Sequence, residues 1–193
     1  MKERKEQVKG FITSKLGKNE RRIYARKCQI ISDDKQEAKD FLDKYHILGK
    51  VNFIEAFGLS YKGELVSLIT IGNHHRTGDE LVLNRYITKH NTTVVGGLSR
   101  LCKAAKDKYG PIATWIDRRW STGSSWEKCG WKVIRISDPD YFYFRPKDGK
   151  VFSKQSRRKS IANTPKGMTE AEHAEIDGLK KVFDCGKIKL IYT

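Results

Sequence analysis

The chain has 193 residues, 38% hydrophobic and 32% charged, which is long enough to bury a core without disulfide or metal staples. Thirty-nine Lys and Arg against 23 Asp and Glu leave a net charge of +16, an excess that points to a polyanionic partner, nucleic acid foremost. No apolar run approaches the roughly 20 residues that span a bilayer, and no apolar stretch follows the charged N-terminus, so no membrane partner and a cytoplasmic location are expected.

Residues 1–27 read as a basic arm, helical or extended, that ends in Glu20-Arg21-Arg22-Ile23-Tyr24-Ala25-Arg26-Lys27. Arg21, Arg22, Arg26 and Lys27 are its candidate phosphate contacts. Ser32, Asp33 and Asp34 are N-cap candidates for a helix to about Lys44, whose Ala38, Phe41, Leu42 and Tyr45 recur at helical spacing. Gly49 is a stop signal beyond it. Two β-rich runs, about 52–60 and 64–72, flank Tyr61-Lys62-Gly63 and predict a hairpin. A polar loop over 73–79 holds His74, His75 and Arg76, and a strand follows over 80–87. Adjacent histidines on an extended chain chelate one metal poorly, so a solvent loop or a phosphate contact is expected there.

Thr92 to Arg100 is expected to open a helix running to about Lys108. Then come a strand over 111–116, a short helix over 121–128 stopped by Gly130, and strands over 131–136 and 141–144. Residues 146–168 read as a basic linker; Lys154, Arg157, Arg158 and Lys159 give it four charges in six positions. A last helix starts at Thr169 with capping-box residues, is broken at Cys185-Gly186, and precedes an edge strand over 188–192. The expected organisation is an arm (1–27), an α/β core (28–146) and a basic linker with helix and edge strand packing on the core (147–193). The fold class is α/β (α+β), a mixed and mostly antiparallel central sheet flanked by helices.

Four cysteines, Cys28, Cys102, Cys129 and Cys185, are too scattered for a metal knuckle and are read as reduced; no metal site is expected. No Walker-type phosphate loop, HExxH helix or nucleophile elbow occurs, which sets aside those NTPase, zincin and hydrolase classes. Gly96-Gly97 before a helix either offers bare backbone amides to a phosphate or serves as a tight turn. Asp117 follows an apolar strand: it either handles a proton and an amine or caps the next turn against Arg118 and Arg119. Arg118, Arg119 and Trp120 suit phosphate contact with base stacking, or a solvated loop. His46 ends a helix, as an active-site group or as a partner of the helix carbonyls. Tyr141 and Tyr143 alternate on a strand, as a general acid or as packed edges.

Trp126-Glu127-Lys128-Cys129-Gly130-Trp131 resembles the aromatic-x-Lys-x-Gly-aromatic signature of GNAT N-acetyltransferases. The resemblance implies a GNAT-like fold, acetyl-CoA or another acyl donor as cofactor, and a pyrophosphate cradle built from Val95, Gly96, Gly97, Ser99 and Arg100, with Trp126 nearby. Val94 stands where that family's loop opens with Gln or Arg. Over almost the whole chain, Val95 to Leu101, Asp117 to Gly123 and Phe183 to Gly186 resemble a phage-encoded domain found behind Vsr-like homing endonucleases, whose nuclease part would precede this chain. Leu83-Asn84-Arg85-Tyr86, Ser99-Arg100 and Asp117 are similar to Mom-type DNA-modification proteins. That resemblance implies an active-site histidine at His46 and a role for Asp117, Ser99 and Arg85, while Tyr141 would be a general acid as in many N-acyltransferases. The expected function is modification of a base amino group in DNA, with Asp117, Tyr141, Ser99 and His46 as catalytic residues, Arg85 as a nucleic-acid contact, and double-stranded DNA in a bacterial host as partner. The alternatives are a non-catalytic DNA-binding module and an acyltransferase acting on tRNA or on a protein partner.

Overall fold

A computed structural model of the chain describes residues 4–32, 34–74, 78 and 80–193. By its contacts the chain divides into two compact units, residues 1–115 with 124–134 and 189–193, and residues 116–123 with 135–188.

The chain begins with α1 (Lys5–Lys15), β1 (Arg21–Tyr24), a single 3-10 turn at Ala25–Lys27 and β2 (Gln29–Ser32). In α2 (Lys35–Tyr45) the Asp34 carboxylate caps the amides of Gln36 and Glu37 at 2.7 and 3.3 Å. The predicted hairpin is β3 (Glu55–Tyr61) and β4 (Glu64–Asn73), joined at Lys62 and Gly63, both with positive φ as a two-residue turn demands. Then follow β5 (Leu81–Thr88), β6 (Thr92–Val95), α3 (Gly97–Tyr109), β7 (Ile112–Asp117), the one-turn α4 (Ser124–Glu127) and β8 (Lys132–Ile136). The remainder holds β9 (Tyr141–Arg145), β10 (Lys150–Phe152), α5 (Lys159–Ala162), α6 (Glu170–Ile176), β11 (Lys180–Phe183) and β12 (Lys187–Tyr192).

Seven strands form the main sheet in the order β2-β3-β4-β5-β7-β12-β8. Neighbours from β2 to β5 run antiparallel. β5 and β7 run parallel, with the single registered pair Val82 and Ala113. Every residue from Val66 to Gly72 on β4 is buried, so both faces of the sheet are covered there. Ala38, Phe41 and Leu42 of α2 pack on Ala56 and Leu68. Leu98, Leu101, Cys102 and Ala105 form the buried stripe of α3. The fold class is the expected one: α/β with a mostly antiparallel central sheet flanked by helices.

Several elements differ from the sequence reading. Thr92 to Val95 is a strand rather than the opening of a helix: it pairs in parallel with β1 from Arg21–Thr92 to Tyr24–Val95. Its two Thr and two Val are β-branched and favour the extended chain. The pairing draws the end of the basic run into the fold, with Ile23 and Ala25 buried. The helix after Thr169 ends at Ile176; Gly178, at φ +69°, turns the chain into β11, which pairs with β9. Residues 146–168 contain β10 and α5 within that second, three-stranded arrangement β10-β9-β11. The last strand is not at an edge: β12 lies between β7 and β8.

Candidate active site

The turn from β6 into α3 sets the geometry. Gly96 takes φ +75° and ψ 9°, a left-handed conformation that side chains resist, and as N-cap it brings no side-chain oxygen to the helix. The first intrahelical bond runs from the Arg100 amide to the Gly96 carbonyl at 3.1 Å. The amides of Gly97, Leu98 and Ser99 therefore have no acceptor within the helix; that of Leu98 bonds the Tyr86 hydroxyl, and those of Gly97 and Ser99 remain at the positive end of the dipole. Gly97 is glycine for a different reason: an added Cβ would meet Val94 Cγ1 at 3.0 Å and the Tyr86 hydroxyl at 3.4 Å.

A groove of about 590 Å³ lies over this helix end, with Val95, Gly96, Ser99 and Arg100 on its wall. Tyr24, Ala25, Arg26, Lys103 and Tyr192 complete the lining. Arg22 and Arg26 both lie over the exposed Tyr24 ring, at 5.9 and 5.2 Å from its centroid. The groove thus offers bare amides, two or three cations and an aromatic face, a set that suits a phosphorylated ligand. Arg100 has a structural duty as well. Its Nη1 donates to the Ala25 carbonyl and, at 2.8 Å, to the Cys28 carbonyl, tying the 3-10 turn to α3.

Behind the groove the rings of Tyr86 and Trp126, then Trp126 and Trp131, meet edge to face at 6.5 and 5.2 Å, and Trp131 packs on Tyr192. Trp126 is part of this cluster and does not line the groove. Burial pushes the Tyr86 hydroxyl up to about 12. Arg21 is engaged elsewhere, with Glu64 at 2.5 Å, while Lys27 is exposed beside Arg26.

His46 is the C-cap of α2; its Nδ1 accepts the Leu48 amide at 3.0 Å. Burial, then the charges of Arg85 and Arg4, lower its pKa to about 4, so it is neutral at pH 7. Arg85 on β5 is half-buried, and burial lowers its pKa. His74 lies just after β4, its amide bonded to the Glu80 carbonyl at 2.8 Å. His75 and Arg76 lie outside the described residues.

The second unit holds the other candidates. Asp117 takes the Arg119 amide at 2.9 Å and clamps the Arg119 guanidinium, with Nε 3.0 Å from both carboxylate oxygens. That guanidinium holds its carboxyl below the usual range. Its backbone carbonyl closes the turn through the amides of Trp120 and Ser121. Arg118 precedes this clamp, and Trp120 follows it with about half its surface exposed. Tyr141 lies between the Lys154 and Lys181 ammonium groups, 4.6 and 4.8 Å from its centroid, and beside Phe183 and Tyr143. Lys154 also pairs with Asp140 at 2.9 Å and Arg157 with Asp177, while Arg158 and Lys159 are exposed at the start of α5. Among the described residues, no group of three or more His, Cys, Asp or Glu is placed to hold a metal ion.

Sequence reasoning thus found the helix end but not Tyr24, Lys103 or Tyr192. Lys103 was accessible in principle, since it follows Ser99 by one helical turn.

No family model matches the chain, and no curated protein matches it. Its fold is similar to an acetyltransferase from Bacillus subtilis solved with CoA, at 12% identity and a TM-score of 0.46, over 86% of this chain and 98% of that one. It is also similar to the ribosomal-protein-S18-alanine N-acetyltransferase from Escherichia coli (13% identity, TM-score 0.48, 86% and 92% of the two chains). A third similar structure is a GNAT family acetyltransferase from Elizabethkingia anophelis with acetyl-CoA bound (14%, 0.45, 86% and 97%).

Proposed function

We propose that the protein is an acyl-CoA-dependent N-acyltransferase whose acceptor amine is carried by nucleic acid. The observation that supports this most is the uncapped start of α3 opening on a cationic groove. A diphosphate fits there: at Gly96 an added Cβ would find one atom within 4 Å, the Ala25 Cβ at 3.9 Å, so the space before the amides is open. The amides of Gly97 and Ser99 and the side chains of Arg26 and Lys103 would hold it, with Tyr24 available to a base. When bound, the cofactor supplies an activated acyl group. The nucleic-acid acceptor is supported by the net charge of +16 and by Arg22, Arg26 and Lys27 exposed around Tyr24.

The decisive experiment pairs melting curves with chemistry. Acetyl-CoA raises Tm, and Lys103→Glu weakens its binding about tenfold, the scale of one charge-assisted contact. Mass spectrometry of nucleosides from DNA or RNA incubated with protein and acyl-CoA then shows a new mass. No Tm shift with any acyl-CoA, and no new nucleoside, overturns the proposal.

One observation favours a second reading, a non-catalytic nucleic-acid module. The Asp117 carboxylate is held by Arg119, and Tyr141 is flanked by two lysines, so both are engaged within their own unit. Under that reading Asp117→Asn leaves salt-sensitive nucleic-acid binding unchanged and no modified nucleoside is formed.

A further inference from the structure

A bulge interrupts the pairing of β4 with β5. Thr70 faces Arg85, yet Ile71 faces Leu83, which leaves Asn84 as the extra residue on β5. The Asn84 side chain folds over Gly72, where an added Cβ would lie 2.4 Å from its Nδ2. That Nδ2 donates to the Asn52 carbonyl at 3.4 Å, so the loop that begins at His46 is held against the bulge.

Directly opposed residues of an antiparallel pair project to the same face, which sets the Thr70 and Arg85 side chains side by side. Thr70 is fully buried, and its hydroxyl has no partner among the described residues. Among the described residues Arg85 Nε is buried without a partner too, and its guanidinium bonds through Nη1 to the neighbouring Asn84 carbonyl at 2.8 Å. Among the described residues no carboxylate reaches it; desolvation is what perturbs it, with no acidic neighbour to offset the cost. His46 is close enough to feel the charge of Arg85. Because its Nδ1 accepts from Leu48, the neutral ring carries its proton on Nε2, another donor.

The other enclosed arginines show what a structural role looks like. Arg100 donates to two backbone carbonyls, and Arg157, whose Nε is also buried without a partner among the described residues, has its charge met by Asp177. Half-buried Arg85 has one backbone carbonyl and, among the described residues, no carboxylate, although a charge withdrawn from water without a counter-charge is costly. A fork of guanidinium donors beside a hydroxyl, with an imidazole N–H within range of the arginine's charge, is complementary to the oxygens of one anion.

We infer that Arg85, Thr70 and His46 form a binding site for a single oxyanion, a phosphate or carboxylate borne by the acceptor. Its assignment to the acceptor rests on the transferase reading; the oxyanion site itself does not.

Melting curves of the full chain at constant ionic strength, with inorganic phosphate or acetate replacing chloride, test the site. Phosphate raises Tm by a few degrees over chloride. The rise survives Lys103→Glu in the α3 groove, falls several-fold in the near-isosteric Thr70→Val and vanishes in Arg85→Met. Should Arg85→Met fail to fold, titration of the parent chain followed at the Arg85 Nε–H resonance by NMR takes its place, and a phosphate-dependent shift of that signal supports the site. A stronger response to phosphate supports a nucleic-acid acceptor; a stronger response to acetate keeps the oxyanion site and overturns its assignment to a nucleic-acid acceptor. The site is overturned if neither anion acts beyond chloride, if Thr70→Val and Arg85→Met respond like the parent, or if the Nε–H signal does not move. The acyl-CoA reading is judged separately, by the Tm shift with acetyl-CoA.

Discussion

Between pH 6.5 and about 4 the unfolded chain binds a proton at His46 that the folded chain refuses, because burial and the charges of Arg85 and Arg4 disfavour the imidazolium. Stability from this residue is therefore complete above pH 6.5, declines as pH falls through that window and levels off below about 4. The linked loss reaches about 3 kcal/mol. Urea midpoints measured against pH show the slope, and His46→Asn, whose side-chain oxygen replaces Nδ1 as acceptor for Leu48, flattens it. Thr70→Val removes a buried hydroxyl that has no partner among the described residues, so ligand-free protein gains about 1 kcal/mol in the same assay. Gly97→Ala costs about 1–3 kcal/mol, since the methyl is forced onto Val94. At this scale the rules of helix starts made Gly96 and Ser99 legible. The structural duty of Arg100 was not, because its partners Ala25 and Cys28 lie 75 and 72 residues away in sequence. Nor was Thr70, whose meeting with Arg85 depends on the bulge at Asn84.

Local signals were enough where an element is stabilised locally. The 3–4 spacing of Ala38, Phe41 and Leu42 located α2, and Lys62-Gly63 located the hairpin. The start of α6 was written in Thr169 and Glu172, which cap each other's backbone amides; Thr169→Ala costs about 1 kcal/mol and frays the helix, seen as earlier amide exchange there. Elements that depend on distant partners were misread. β6 looked like a helix opening until β1, some 70 residues earlier, supplied its ladder. β11 was hidden behind the acidic run of α6, because Lys180–Phe183 shows its strand character only against β9. The aromatic cluster is likewise non-local: Trp131 is buried between Trp126 and Tyr192, and Trp131→Ala lowers stability by about 3–5 kcal/mol on chemical denaturation.

The charge of the molecule governs its encounters as a whole. If the acceptor is nucleic acid, affinity falls steeply with salt, with a log–log slope of about −0.9 per phosphate neutralised on duplex. Replacing Arg22, Arg26 and Lys27 together by Gln lowers that slope by two to three, measured by anisotropy across a salt series. The order of strands carries a different consequence. Because β12 sits between β7 and β8, with Leu190 fully buried, the sheet receives an interior member from residues 187–192. During synthesis β7 and β8 emerge from the ribosome with no neighbour on the sides that will flank β12, and they wait through more than fifty further residues. Nascent chains arrested before residue 187 should thus present two open ladders to chaperones, and protease resistance should arrive in one late step rather than gradually as the chain lengthens.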